Sequence, residues 1–385
     1  MNRPLSLSLP LIAVLLLATA CTDNTSSSTA TQGPQALTVA ASDSECSLSA
    51  TEAPAGKLTF AVTNTGSKVN EFYVLGDDGL RIIGEVENIG PGLTRELVLS
   101  AQPGSYFTAC KPGMVGDGIR AVFTVTGESM PVSADDKVLL DQANAQYQSY
   151  VKDQTDQLLA KTELFAEAYR TGQDDRAREL YPDARTHWER IETVAESFGD
   201  LDPRMDAREA DLEQGQEWTG WHRMEKDLWP QRADNYTPLT LEERTRFAGQ
   251  LVSDTRDLHA RTRDLTFTAD VIGNGAKGLL DEVATGKVTG EEEYWSRTDL
   301  WDFQANVDGA RVAWEGLRPL LKQKNPDLDR QIETDFASLQ DLLDQHRIGT
   351  GFKTYDQLSD AQIRELSDAV NALSEPLSQL TAAVI

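Results

Sequence analysis

The sequence predicts a multidomain chain, an N-terminal all-β sandwich followed by an all-α helical bundle. Three observations carry that expectation. Short runs rich in Val, Ile, Phe, Tyr and Thr, separated by Gly, Pro, Asn and Asp, fill residues 36–127. From about residue 136 the β-branched residues thin out, and helix formers with a 3.6-residue period continue to Leu380. Between the two lies "GESMPVSADDK", Gly127 to Lys137, with the composition of a linker.

Residues 1–20 read as a signal peptide rather than as part of the fold. Met1-Asn2-Arg3 is a short basic start, "LIAVLLL" (Leu11 to Leu17) is an apolar run, and "ATAC" (Ala18 to Cys21) follows. This looks like a bacterial lipoprotein signal, cleaved before Cys21, which then carries the lipid. The apolar run is too short to span a bilayer. Residues 21–35 include "TDNTSSSTATQGP", a polar stretch suited to a flexible tether. The expectation is an exported protein, lipid-anchored at the outer face of the cell membrane or periplasmic.

In the β region, 36–127, seven runs read as strands: "ALTVAA", "KLTFAVTNT", "NEFYVLG", "LRIIGEVE", "TRELVLS", "GSYFTAC" and "IRAVFTVTG". They predict a small antiparallel sandwich. All four histidines of the chain lie outside this region. A blue-copper site needs two His and a Cys, so electron transfer with those ligands is excluded here. What the region offers is Cys46, Cys110, Glu71, Glu85 and Glu87. Two readings stay open: a Cys46–Cys110 disulfide, as expected for an exported protein, or a Cys/Glu metal site that works in the reduced form.

Residues 128–137 form the linker, and 138–385 the helical domain. "ARTHWE" (Ala184 to Glu189) and "ARVAWE" (Ala310 to Glu315) share A-R-x-x-W-E, which suggests a duplicated bundle. Both are expected to begin helices that stop at Asp202-Pro203 and Asn325-Pro326. Nothing matching H-x-x-E follows the second copy, so a site is expected in the first half only.

That site centres on "GWHRMEKDLWP", Gly220 to Pro230, read as the last turns of a helix stopped by Pro230. Trp218, Trp221, Leu228 and Trp229 make an apolar face. His222 and Glu225, at i, i+3, fall inside that face. An unpaired buried carboxylate costs several kcal/mol. An arginine such as Arg185 or Arg204, a hydrogen-bond network or a metal ion would offset it. Glu189, Glu192, Asp202, Asp206 and Glu209 lie nearby in sequence. Helical spacing favours Glu192 over Glu189 for reaching inward. One His with several carboxylates is a hard, oxygen-rich set, suited to Fe(III), Mn or Ca and only partly to Zn. His187, His259 and His346 are isolated and read as fillers.

The formal charge is −26, from 62 acidic and 36 basic residues, which argues against a nucleic-acid partner. No H-E-x-x-H, G-x-S-x-G or P-loop occurs.

With these residues in view, the chain from about Ala36 to Leu380 resembles the EfeO family of the Efe iron-uptake system. The resemblance is carried by "VENIGPG", "YPDARTHWERIETVAESFGDLDPRMDARE", "GWHRMEKDLW" and "GLLDEVATGKVTGEEEYWSRTDLWDFQANVDGA". It implies a cupredoxin-like N-terminal domain and an imelysin-like helical domain. It implies a non-enzymatic iron carrier (Fe3+ or Fe2+, with Zn2+ or Mn2+ as substitutes). The ligands would be His222 and Glu225, with Glu189, Glu192, Asp206 and Glu282. In the β domain it implies Cu2+ or Fe3+ on Cys46, Glu71 and Cys110. The implied partners are a membrane iron permease and a haem peroxidase of the same system. Two rival readings remain: an imelysin-like metallopeptidase, and a cation-bridged binder of acidic polysaccharide.

Overall fold

The computed structural model describes residues 36–128, 131–212 and 215–385. The expected signal peptide, the expected lipid on Cys21 and the expected tether lie outside the described residues. Among the described residues no helix is long and apolar enough to cross a membrane.

Nine strands form the N-terminal sandwich: β1 (Ala36–Ala41), β2 (Cys46–Leu48), β3 (Glu52–Pro54), β4 (Gly56–Asn64), β5 (Asn70–Leu75), β6 (Ile82–Ile89), β7 (Thr94–Ala101), β8 (Gly104–Cys110) and β9 (Ile119–Thr126). One sheet runs β2-β1-β4-β7 and the other β3-β9-β8-β5-β6. Alternation does the sorting. In β4 every second residue is buried, so Leu58, Phe60 and Val62 face the core, where Phe60 meets Phe72 and Phe123 of the opposite sheet. The sandwich is not wholly antiparallel, as its run pattern suggested. β1 pairs with β4 in parallel, and β3 with β9 in parallel. The physical reason is the pair of three-residue strands β2 and β3, which carry the chain from one sheet to the other between β1 and β4. Their period-2 pattern is too short to read.

The helical domain opens with α1 (Ala134–Arg170), capped by the Ser133 hydroxyl, which accepts from the Asp136 amide. It continues with α2 (Asp174–Glu189), α3 (Glu192–Glu196), α4 (Asp202–Met205), α5 (Gly220–Leu228), α6 (Leu241–Arg261), α7 (Ala269–Thr285), α8 (Asp299–Lys324), α9 (Pro326–Asp344), a hairpin β10 (Arg347–Ile348) and β11 (Gly351–Phe352), α10 (Asp360–Leu377) and α11 (Leu380–Val384). α1 packs on α2, α6 and α8, and α7 packs on α8, around one apolar core that includes Trp188, Trp221, Phe303 and Trp314. Neither A-R-x-x-W-E motif begins a helix. The first closes α2 and the second lies within α8. The helix read through "WERIETVAESF" is broken at Arg190 and Ile191, so a single helical wheel does not describe it.

The sandwich seats on the helices through β6 and β7 against α7. The Ser100 amide donates to Asp270 at 2.8 Å, and the Asn274 side chain donates to the Val98 carbonyl at 2.9 Å. Beside these contacts is a cavity of about 930 Å³, walled by Glu85 and Glu87 from the sandwich and Glu196 and Glu282 from the helices.

Candidate metal centre

The centre is assembled by the link between α4 and α5. α5 is not the tail of a longer helix. It is a nine-residue helix that begins at Gly220 and ends at Leu228, just before Pro230. Gly220 has φ +84°, and a Cβ there would run into the backbone of Arg204 and Met205. That close approach sets His222 beside Asp206, the residue that closes α4. The Thr219 hydroxyl donates to the Arg204 carbonyl at 2.6 Å and the Trp218 indole to the Ala207 carbonyl at 2.7 Å, which holds the link shut.

His222 and Glu225 are both fully buried. His222 Nδ1 lies 3.2 Å from Glu225 Oε2. Glu225 Oε1 accepts from the backbone amides of Trp295 at 2.8 Å and Ser296 at 2.6 Å. Both oxygens are therefore engaged, and Glu225 serves to orient the imidazole and to pin the 290–298 loop. His222 Nε2 points the other way. It sits 3.4 Å from Asp206 Oδ1 and 3.3 Å from Glu292 Oε1, yet has no hydrogen-bond partner of its own. Ligand atoms about 2.1 Å from one tetrahedral ion stand about 3.4 Å apart, so the two distances from Nε2 match those around a single ion. Asp206, His222 and Glu292 offer donor atoms within 4.8 Å of one another; so do His222, Glu225 and Glu293, and likewise Glu189, Glu192 and Asp206.

Internal cations share this space. The Arg185 guanidinium, fully buried at the end of α2, pairs with Asp206 and Glu189; its Nε is 2.7 Å from Glu293 and 3.4 Å from Asp302, and its Nη2 is 3.4 Å from Glu292. Lys287 Nζ lies 3.1 Å from Glu189 and from Glu192, and so already fills the third group. Asn306 on α8 donates to Glu192 at 3.0 Å and to the Glu189 carbonyl at 2.8 Å. The Trp188 indole donates to Asp206 Oδ2 at 2.7 Å, and the Tyr181 hydroxyl to Glu293 at 3.1 Å.

Eight buried carboxyls face these few cations: Glu189, Glu192, Asp206, Glu225, Glu292, Glu293, Asp299 and Asp302. Burial raises Glu189 to about 8, with Glu192 adding repulsion, and raises Glu293 to about 8, with Glu225 adding repulsion. Burial likewise lifts Glu192 to about 7, against the pull of Lys287. Glu292 is the exception. Burial opposes ionisation there too, but Lys287 and His222 hold its carboxyl well below the usual range. His222 is raised well above an ordinary imidazole; burial and the nearby Arg185 work against its charge, and the carboxylates of Glu225, Glu292 and Asp206 around it outweigh them.

The structure thus brings together His222, Glu225, Glu189, Glu192 and Asp206, as the sequence leads one to expect, but ranks them differently. Glu189 reaches inward as fully as Glu192, because the break at Arg190 removes the basis for preferring one. Glu282 on α7 is in none of these donor groups: it lines the cavity with Glu87, and burial, then the charge of Glu87, raises it to about 8, with Lys287 and Glu292 of the centre also acting on it. The site is not confined to the first half. Glu292, Glu293, Lys287, Asp299, Asp302 and Asn306 all come from the second. Glu292 and Glu293 stand in "TGEEEYW", where three consecutive glutamates beside Tyr294-Trp295 were the available signal. Of the isolated histidines, His187 bonds Gln154 at 2.8 Å and His259 bonds Asp156 at 2.7 Å, as fillers do.

In the β domain, Cys46 and Cys110 form a disulfide that joins the two sheets. Both sulfurs are consumed, so neither is a thiolate ligand. Nor does Glu71 join them. Its carboxyl accepts from the Tyr73 hydroxyl at 2.7 Å, and Tyr73 pairs with Glu85, which puts all three on one face of the sheet. Cys110 pairs with Phe72 and lies on the other face. The trio Cys46, Glu71 and Cys110 is not assembled as a site.

The fold and the buried donor set define a two-domain protein, a β sandwich joined to a helical bundle with a carboxylate-rich centre in the bundle. The imelysin family model (peptidase M75) matches residues 143–380, and the cupredoxin-like domain model matches residues 10–125. The chain is 38% identical over 351 residues to the "Iron uptake system component EfeO" of Yersinia pestis, covering 90% of each chain. It is 38% identical over 347 residues to the protein of the same name from Escherichia coli K12, covering 89% of each. The chain belongs to the EfeO family.

Proposed function

We propose that this protein captures iron at a centre made by His222 Nε2, Asp206 and Glu292, and passes it to a membrane permease of an Efe-type uptake system. The observation that carries this reading is the orientation of His222. Its Nδ1 side is held by Glu225, and its buried Nε2 is aimed, without a partner, between two carboxylate oxygens. A histidine oriented by a carboxylate, with its other nitrogen free, is the usual arrangement at metal sites. The relatives named as iron uptake components supply the identity of the ion, and the oxygen-rich set suits iron as a hard cation. Iron is cargo here. Zn2+ and Mn2+ would enter the same place as substitutes.

A peptidase reading is less favoured. Glu225, the carboxylate of the H-x-x-E pair, has both oxygens engaged and is not a free base for activating water. Lipid attachment at Cys21 would hold the carrier at the outer face of the cell membrane, near the permease and a haem peroxidase partner. The test is iron content by elemental analysis of purified wild-type and His222→Ala/Glu225→Ala protein. The expected result is stoichiometric iron in the wild type and none in the double variant, with an unchanged helical circular dichroism signal. Equal iron in both would refute the proposal.

A further inference from the structure

Resting on that reading, we propose that Arg185 is a built-in rival of the captured ion, and that it sets how readily the ion is released. The two oxygens that His222 Nε2 faces are Asp206 Oδ1 and Glu292 Oε1. The same two oxygens face Arg185, through Nη1 and Nη2. An ion between His222, Asp206 and Glu292 would therefore draw on electron density that the guanidinium already holds, and would place two cations side by side in a water-poor interior. Arg185 has other anchors. Its Nε keeps Glu293 at 2.7 Å and Asp302 at 3.4 Å, and its Nη2 keeps Glu189. On capture, Asp206 and Glu292 turn to the ion while Arg185 stays on the remaining three carboxylates. On release, Arg185 takes them back, so the empty centre is neutralised and does not collapse. Loading thus adds positive charge beside the guanidinium, which lowers affinity and favours release.

Lys287 does the same for the neighbouring group without offering a place to an ion. It sits 3.1 Å from both Glu189 and Glu192 and is almost fully buried, whereas the His222 trio keeps an unpartnered donor atom in Nε2.

The alternative role for Arg185 is to position Asp206 and Glu292 for the ion, and the two roles predict opposite signs. Zn2+, which is redox-inert, is titrated into wild type, Arg185→Met and His222→Ala. The rival role predicts Arg185→Met binding at least tenfold tighter than wild type, with a larger rise in melting temperature on adding Zn2+. Weaker or unchanged binding in Arg185→Met overturns it. Wild-type binding that His222→Ala leaves unaltered would instead bring down the metal-centre reading itself. If Arg185→Met does not fold, proton exchange at the Arg185 Nη groups of labelled wild type decides. Exchange is expected to be slow without ion and faster with Zn2+; equal protection in both states overturns the proposal.

Discussion

At the scale of single residues, the His222–Glu225 pair divides its labour. In the proposed centre His222 would supply a ligand atom and Glu225 its direction. Glu225→Gln should therefore fold and still bind, with affinity for Fe2+ reduced about 10- to 100-fold, the usual cost of losing an orienting partner. His222→Ala should lose more. Both follow from anaerobic Fe2+ titration of the purified proteins. The raised His222 imidazole keeps a proton that any ion must expel from Nε2. Affinity should thus fall as pH is lowered from 8 to 6, with protons released on binding, which calorimetry in two buffers of different ionisation enthalpy would detect. Pattern reading reached this pair because two polar groups on a tryptophan-rich face demanded compensation. It did not reach Glu292, since a run of acidic residues ordinarily means a solvated surface. Only the 290–298 loop, folded back onto Glu225 through two backbone bonds, puts Glu292 and Glu293 inside while Glu291 stays exposed.

At the scale of elements, one glycine and one disulfide hold much of the geometry. Gly220 lies at φ +84° where the α4–α5 link presses on it. Gly220→Ala should cost about 1–3 kcal/mol from backbone strain alone, more with the clash, and should weaken iron binding by moving His222 off Asp206. Thermal melting read alongside Fe2+ titration checks both. A melting temperature and affinity equal to wild type would show that the link is slack. The Cys46–Cys110 bridge closes a loop of 64 residues. Chain entropy assigns it about 4 kcal/mol, so reductant should lower the melting of the sandwich markedly. Long strands such as β1, β4 and β8 were legible in the sequence from their alternation. β2 and β3 were not, at three residues each, and with them went the parallel pairings. The break between α2 and α3 was also hidden, because Arg190 and Ile191 carry no Gly or Pro signal.

At the scale of the molecule, carboxylates from both domains wall one cavity. Burial, above all, lifts Glu87 to about 7 and Glu282 to about 8, each from an ordinary value of 4.5. The sign follows from linkage. A carboxyl raised in the folded state favours folding while protonated, and that advantage is lost as pH rises from about 4.5 through the raised values. Melting temperature should fall between pH 6 and 8.5, and Glu282→Gln should flatten the fall. The division into a sandwich and a bundle was plain from texture. The seating of one on the other was not, since Ser100, Asp270 and Asn274 give no local sign of a shared boundary.

The central claim is that iron is held by His222 with Asp206 and Glu292, and not by the acidic residues around the cavity. Anaerobic Fe2+ titration of Glu292→Gln beside Glu282→Gln tests it most directly. The account predicts that Glu292→Gln loses at least a hundredfold in affinity while Glu282→Gln binds as the wild type does. Full binding in Glu292→Gln, or loss in Glu282→Gln, would contradict it.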